Sequence, residues 1–240
     1  MIIPSTTVFF TGGCLMMLVL AASRLMARSV GASLYTWTSV VGVVLTGLSI
    51  GNYLGGRMAD RYQARRALAV LFGLSSAACV GMVVANNLAG EWMGLWRLSW
   101  PGHVILHVLL VLLLPSALLG AVSPVVAKMV LDQGLAPGRT IGSIYAWGAV
   151  GGIIGTFLAG FFLIVAFGCA TLIWFIGAAM LLVAVLYWIS CWAMYLWAMV
   201  FMALATMGMA GDPWAQEAGT AALLRERPDP GVVYETETPY

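Results

Sequence analysis

The chain has 240 residues, of which 62% are hydrophobic and only 8% charged, and its mean hydropathy is +0.99. Average globular chains carry roughly 25% charged residues, so this much apolar surface excludes a soluble globular domain. The net charge of +2 conceals two materials, because residues 1–210 hold nine Lys/Arg against three acids, whereas residues 211–240 hold two against six.

Apolar runs long enough to cross a bilayer, about 20 residues, recur at 8–26, 36–55, 67–86, 103–129, 140–167, 169–189 and 192–210. A spanning segment must satisfy its own backbone groups. These runs are too long and too uniformly apolar for the alternating strands of a barrel, so they are read as helices. The predicted fold is all-α: a polytopic transmembrane bundle of about seven helices over residues 1–210, followed by an acidic tail at 211–240. Met1-Ile2-Ile3-Pro4 lacks the basic start of a signal peptide, and no small-residue cleavage site follows the first run, so that helix is expected to be retained. Cys14, Cys79, Cys169 and Cys191 lie in apolar runs without ligand spacing and are read as small buried hydrophobes.

Helix one ends near Arg24, which is either an intramembrane charge or one that snorkels to the interface. Helix two runs into Gly51-Asn52-Tyr53-Leu54-Gly55-Gly56-Arg57-Met58-Ala59-Asp60-Arg61-Tyr62-Gln63-Ala64-Arg65-Arg66. Its small residues let helices approach closely. Asp60 and the arginines then make a compact charged loop, which serves either as a conformational latch, Asp60 pairing with an arginine, or for orientation alone. Between helices three and four, Glu91 to Trp100 is amphipathic and rich in tryptophan, as expected of a loop lying on the membrane surface.

His103 and His107 share one helix face at a spacing that suits a metal. Without a third ligand of matching depth, they are read as interfacial polar residues at a helix entrance, and no metal or cofactor is expected. Pro115 and Pro124, beside Ser116 and Ser123, form a hinge or polar pocket, or else a tight bend without a ligand. Arg24, Ser123 and Pro124 are thus the candidate intramembrane polar positions. In helix five, Gly148, Gly151, Gly152 and Gly155 give two overlapping small-xxx-small spacings, a helix-packing signature.

Cys169 to Ala210 has no proline or charge to mark a turn. As one helix it would rise roughly 60 Å, about twice the hydrocarbon thickness, so two helices are expected. The tail opens on Gly211-Asp212-Pro213, breaks again at Pro228-Asp229-Pro230-Gly231 and ends in strand-like residues from Val232 to Tyr240. The densest basic loop, Arg57 to Arg66, is placed in the cytoplasm by the positive-inside rule. That choice sets six Lys/Arg inside against Arg24, Arg28 and Arg97 outside, with the N-terminus cytoplasmic.

The Gly-x-x-x-Asp-Arg-x-x-x-Arg-Arg string from Gly56 to Arg66 resembles the loop between helices two and three of major facilitator transporters. Three longer strings, Gly31 to Gly42, Gly120 to Lys128 and Gly138 to Gly151, resemble something narrower: the membrane portion of fused, transporter-like spermidine synthase proteins. Val233 to Tyr240 then resembles the strand that leads into that family's aminopropyltransferase domain, which has no counterpart in these residues. The resemblance also implies a glutamate in helix one where this chain has Val19, so a polyamine would lose its acidic partner in the membrane.

The resemblance implies a half-transporter-like bundle without catalytic residues: a non-catalytic membrane subunit or anchor, in the bacterial inner membrane, partnering a synthase-like soluble domain. Lipid and a protein partner are expected, and nucleic acid is not. Two alternatives stand beside it, a recruited structural subunit of a larger membrane complex and a small-molecule carrier working as a homodimer.

Overall fold

A computed structural model describes residues 2–31, 33–91, 100–134 and 136–188. The run at 192–210, the tail at 211–240 and the surface loop expected between Glu91 and Trp100 lie outside the described residues. Within them the chain is all helix: α1 (Ile2–Val30), α2 (Leu34–Arg61), α3 (Ala64–Glu91), α4 (Trp100–Gly120), α5 (Val122–Leu131), α6 (Pro137–Leu158), α7 (Ile164–Phe167) and α8 (Cys169–Trp188). Six stretches are long and apolar enough to cross a membrane: α1, α2, α3, α4 with α5, α6 with α7, and α8.

The helix boundaries follow from local chemistry. Gly31 leaves α1 with φ +78°, and the Ser33 side chain caps α2 by accepting from the Thr36 N–H. Only Tyr62 and Gln63 separate α2 from α3. Pro137 begins α6, where its missing N–H costs nothing, and the single residue Gly168, φ +78°, turns α7 into α8.

The two prolines of the fourth span act differently. Pro115 sits inside α4 without breaking it, and the neighbouring Ser116 hydroxyl donates to the Leu112 and Leu113 carbonyls at 2.7 and 3.0 Å. Pro124 cannot bond the Gly120 carbonyl, and the helix turns at Ala121, just there. The run expected as one helix over 103–129 is therefore two. Similarly, 140–167 contains a π-helical turn at Ala159–Leu163, a local widening that the apolar pattern does not reveal.

The most extensive helix contacts are α1 with α6, α2 with α4, and α3 with α8. Exchanging the first three spans for the last three maps this pattern onto itself: α1 on α6 becomes α4 on α2, while α3 on α8 is unchanged. Each unit thus holds three of the six apolar stretches, and the contacts of one unit have their counterparts in the other. The shared core includes the fully buried side chains Leu18, Met26, Leu71, Phe72, Leu112 and Met180.

Candidate functional site

Two glycine-lined seams bring the helices together. On the first, a Cβ added at Gly151 of α6 would strike the backbone of Phe9 in α1, and one at Gly155 would strike the backbone of Gly13. A Cβ added at Gly148 would lie 3.0 Å from the Val8 side chain, and one at Gly152 would lie 3.3 Å from that of Met16. On the second, Gly47, Gly51 and Gly55 of α2 lie on Ser116, Ala117 and Ala121 of the α4–α5 span, and Gly55 also meets Pro124. The spacing at Gly148 to Gly155 has a counterpart at Gly47, Gly51 and Gly55, in the equivalent helix of the other unit.

At one end of the bundle stand Arg57, Asp60, Arg61, Arg65, Arg66, Lys128, Asp132 and Arg139, because the ends of α2 and α5 and the starts of α3 and α6 meet there. Asp60 does not take an arginine among the described residues. Its carboxylate lies 3.8 Å from Lys128 Nζ, which is also 3.5 Å from Asp132. Two of the four arginines are engaged elsewhere: Arg57 lies over the Tyr53 ring at 4.4 Å, and Arg65 Nε donates to the Tyr187 carbonyl at 3.1 Å. With Lys128 43% and Asp60 73% exposed, the bridge contributes no more than about 1 kcal/mol. Next to it, the Tyr187 hydroxyl bonds Thr7 at 2.6 Å and its ring stacks on Phe72, tying α8 to α1 and α3.

Toward the other end lies the buried polar cluster. His103 and His107, expected at the interface, are 5% and 0% exposed instead, with rings stacked at 6.2 Å. The Asn86 side-chain oxygen can only accept, so His107 Nε2–H donates to it, at 3.1 Å. His107 Nδ1 is then a buried acceptor with no hydrogen-bond partner among the described residues. Asn86 is the residue that reading for ligand types missed. Its depth, five residues from the end of α3, matches that of His107 near the start of α4, and that was the available signal. No group of three His, Cys, Asp or Glu that could hold a metal occurs among the described residues. Chemically, the pair can order a hydrogen bond in the bundle interior.

Arg24, Ser123 and Pro124 do not come together. Arg24 lies on the part of α1 that leads to α2, whereas Pro124 packs on Gly55 toward the charged end. An apolar groove of about 490 Å3 runs between α1, α6 and α8, walled by Phe9, Phe10, Met17, Ile154, Phe175 and Ile176, surfaces suited to hydrocarbon. A scan of family models finds no match to this chain, and searches of curated proteins and of solved structures find none either.

Proposed function

We propose that the chain is a non-catalytic integral membrane subunit, an anchor resembling the membrane part of a membrane-bound spermidine synthase, that partners a synthase-like soluble domain. The pair of glycine-backed seams carries this reading. Helices locked backbone to backbone form a rigid body, better suited to holding a partner at the membrane than to sliding apart around a solute. Two of the polar contacts among the described residues are structural pairs, His107 with Asn86 and Lys128 with two acids. The proposed setting is the bacterial inner membrane with the N-terminus cytoplasmic, since the arginines of the α2–α3 corner share one end with Lys128 and Arg139.

The test is the intact mass of the protein purified from its native membrane in gentle detergent, together with every polypeptide that stays bound. A synthase-like domain, either bound or continuous with a mass far above 25.5 kDa, is the expected result. A 25.5 kDa chain held only by unrelated membrane subunits would replace this reading with the recruited structural subunit, and one with no companion would overturn both.

The outward face of α2 favours a second reading, the homodimeric carrier. Thr38, Gly42, Ser49, Asn52 and Gly56 share one helix face at spacings of four, seven, three and four residues, and a Cβ at Gly42 or Gly56 meets nothing within 4 Å. The hydroxyls of Thr38 and Ser49 bond their own backbone at 2.9 Å. The Asn52 amide is exposed without a partner among the described residues, about 13 Å along the helix from Arg61. An amide in hydrocarbon seeks a partner, and a second Asn52 supplies both a donor and an acceptor. Cysteine cross-linking in native membranes should therefore trap an α2-to-α2 dimer that Asn52→Leu weakens several-fold and Asn52→Gln retains. A cross-linking yield untouched by Asn52→Leu would remove this reading.

A further inference from the structure

We propose that the arginines at the corner of α2 and α3 form a binding surface for the phosphate of anionic phospholipid headgroups. Arg57, Arg61, Arg65 and Arg66 are all exposed, and Arg139 stands at the same end on the first turn of α6. A cytoplasmic basic loop needs no ligand to set orientation, so the decisive observation is how the nearby acids are used. Asp60 and Asp132, the two carboxylates at this end among the described residues, both lie on Lys128. Those two carboxylates stand against Lys128 and the five arginines, so this end keeps a net charge of +4, and the acids rest on the lysine rather than on the guanidinium groups.

The chemistry of the patch fits a phosphodiester. The guanidinium group presents a planar fork of donors that matches two phosphate oxygens, which an ammonium cannot do. Two forks are already placed by their neighbours: Arg57 by the Tyr53 ring, and Arg65 through the Nε bond to the Tyr187 carbonyl, which leaves its terminal nitrogens for another acceptor. Arg57 and Arg61 are one helical turn apart on α2, about 6 Å along the axis, so the corner spans headgroup depth rather than one plane. At 28 residues, α2 is about 42 Å long and exceeds the roughly 30 Å hydrocarbon layer, which carries this corner into the headgroups. Each basic residue near a charged surface strengthens attraction to it about fivefold. This inference rests on the spanning helices alone and is independent of whether a soluble domain docks.

The experiment uses the full chain in mixed micelles, with phosphatidylglycerol, phosphatidylcholine or inorganic phosphate as the added probe. Co-purified lipid is measured by mass spectrometry and the unfolding midpoint by heating. Phosphatidylglycerol should be retained over phosphatidylcholine and should raise the midpoint. The double substitution Arg61→Gln with Arg66→Gln, which spares the two arginines that brace the fold, should cut its retention roughly 20-fold. Replacing the same pair by lysine should give an intermediate loss, since charge remains but the fork does not. Equal retention of the two lipids by the unaltered chain would overturn the proposal without recourse to any variant. So would a folded double variant that keeps its phosphatidylglycerol, and so would an equal midpoint shift from inorganic phosphate, which would make the patch a site for the free anion.

Discussion

Gly151→Leu should force α1 and α6 apart, seen as a fall in the unfolding midpoint in detergent of roughly 6–12 °C for a chain of this length. The α6 and α1 backbones approach each other at Gly151 so closely that even a methyl group would meet the Phe9 carbonyl and lie 2.9 Å from the Phe9 Cα. Main chain has no rotamer with which to make room, so the helices must separate. Separation cannot be local, because Gly155 rests on the Gly13 backbone one turn further along. Overpacking usually costs 1–3 kcal/mol, and with backbone on both sides the upper end, about 3 kcal/mol, is expected. That is a large share of a native margin of about 5–15 kcal/mol. The matched control is Gly142→Leu, earlier in the same helix, exposed and with nothing within 4 Å of an added Cβ. It should shift stability by no more than about 0.5 kcal/mol. Equal losses from the two substitutions would mean that leucine acts through the helix in general and that the seam is not the closing contact.

The contrast between Gly151 and Gly142 also shows what could be read without coordinates. Hydrophobic length locates the spans, because a run of Leu, Val, Ile and Ala that cannot face water is visible residue by residue. The small-xxx-small spacing at Gly148 to Gly155 marks a face that permits close approach, but the spacing does not say to which helix. Its partners, Gly12 and Gly13, are two adjacent glycines in a helix read only as apolar. Long-range pairing in a membrane is hard to read for a physical reason: lipid is as apolar as the helices, so hydrophobicity does not choose neighbours, and shape does. The same reasoning explains the charged end. A loop with one aspartate and four arginines invites a local pair, yet Lys128 arrives from a helix 68 positions away and takes Asp60. A missing N–H marks Pro115 and Pro124 alike, yet the helix turns only at Pro124, and the π-turn at Ala159–Leu163 has no such marker in its sequence.

The buried polar pair gives the second large effect, and there the loss comes chiefly from the partner left behind. Asn86→Leu leaves His107, fully buried, with neither ring nitrogen bonded by any described residue, since Nδ1 already lacks a partner. Leaving a buried donor or acceptor unsatisfied costs about 1–3 kcal/mol, whereas replacing both members by apolar groups is nearly neutral. A direct interhelical hydrogen bond inside a membrane averages only about 0.6 kcal/mol and reaches about 1.7 kcal/mol. The desolvation penalty therefore outweighs the bond itself. Asn86→Leu and His107→Leu should each destabilise by about 2 kcal/mol, and the double variant should lose clearly less than their sum. The cycle is read from denaturant titrations of the four proteins, with helix content confirming that each one folds. Strict additivity would show that the two side chains do not meet in the bundle, and that α3 and α4 are held together by apolar contact alone.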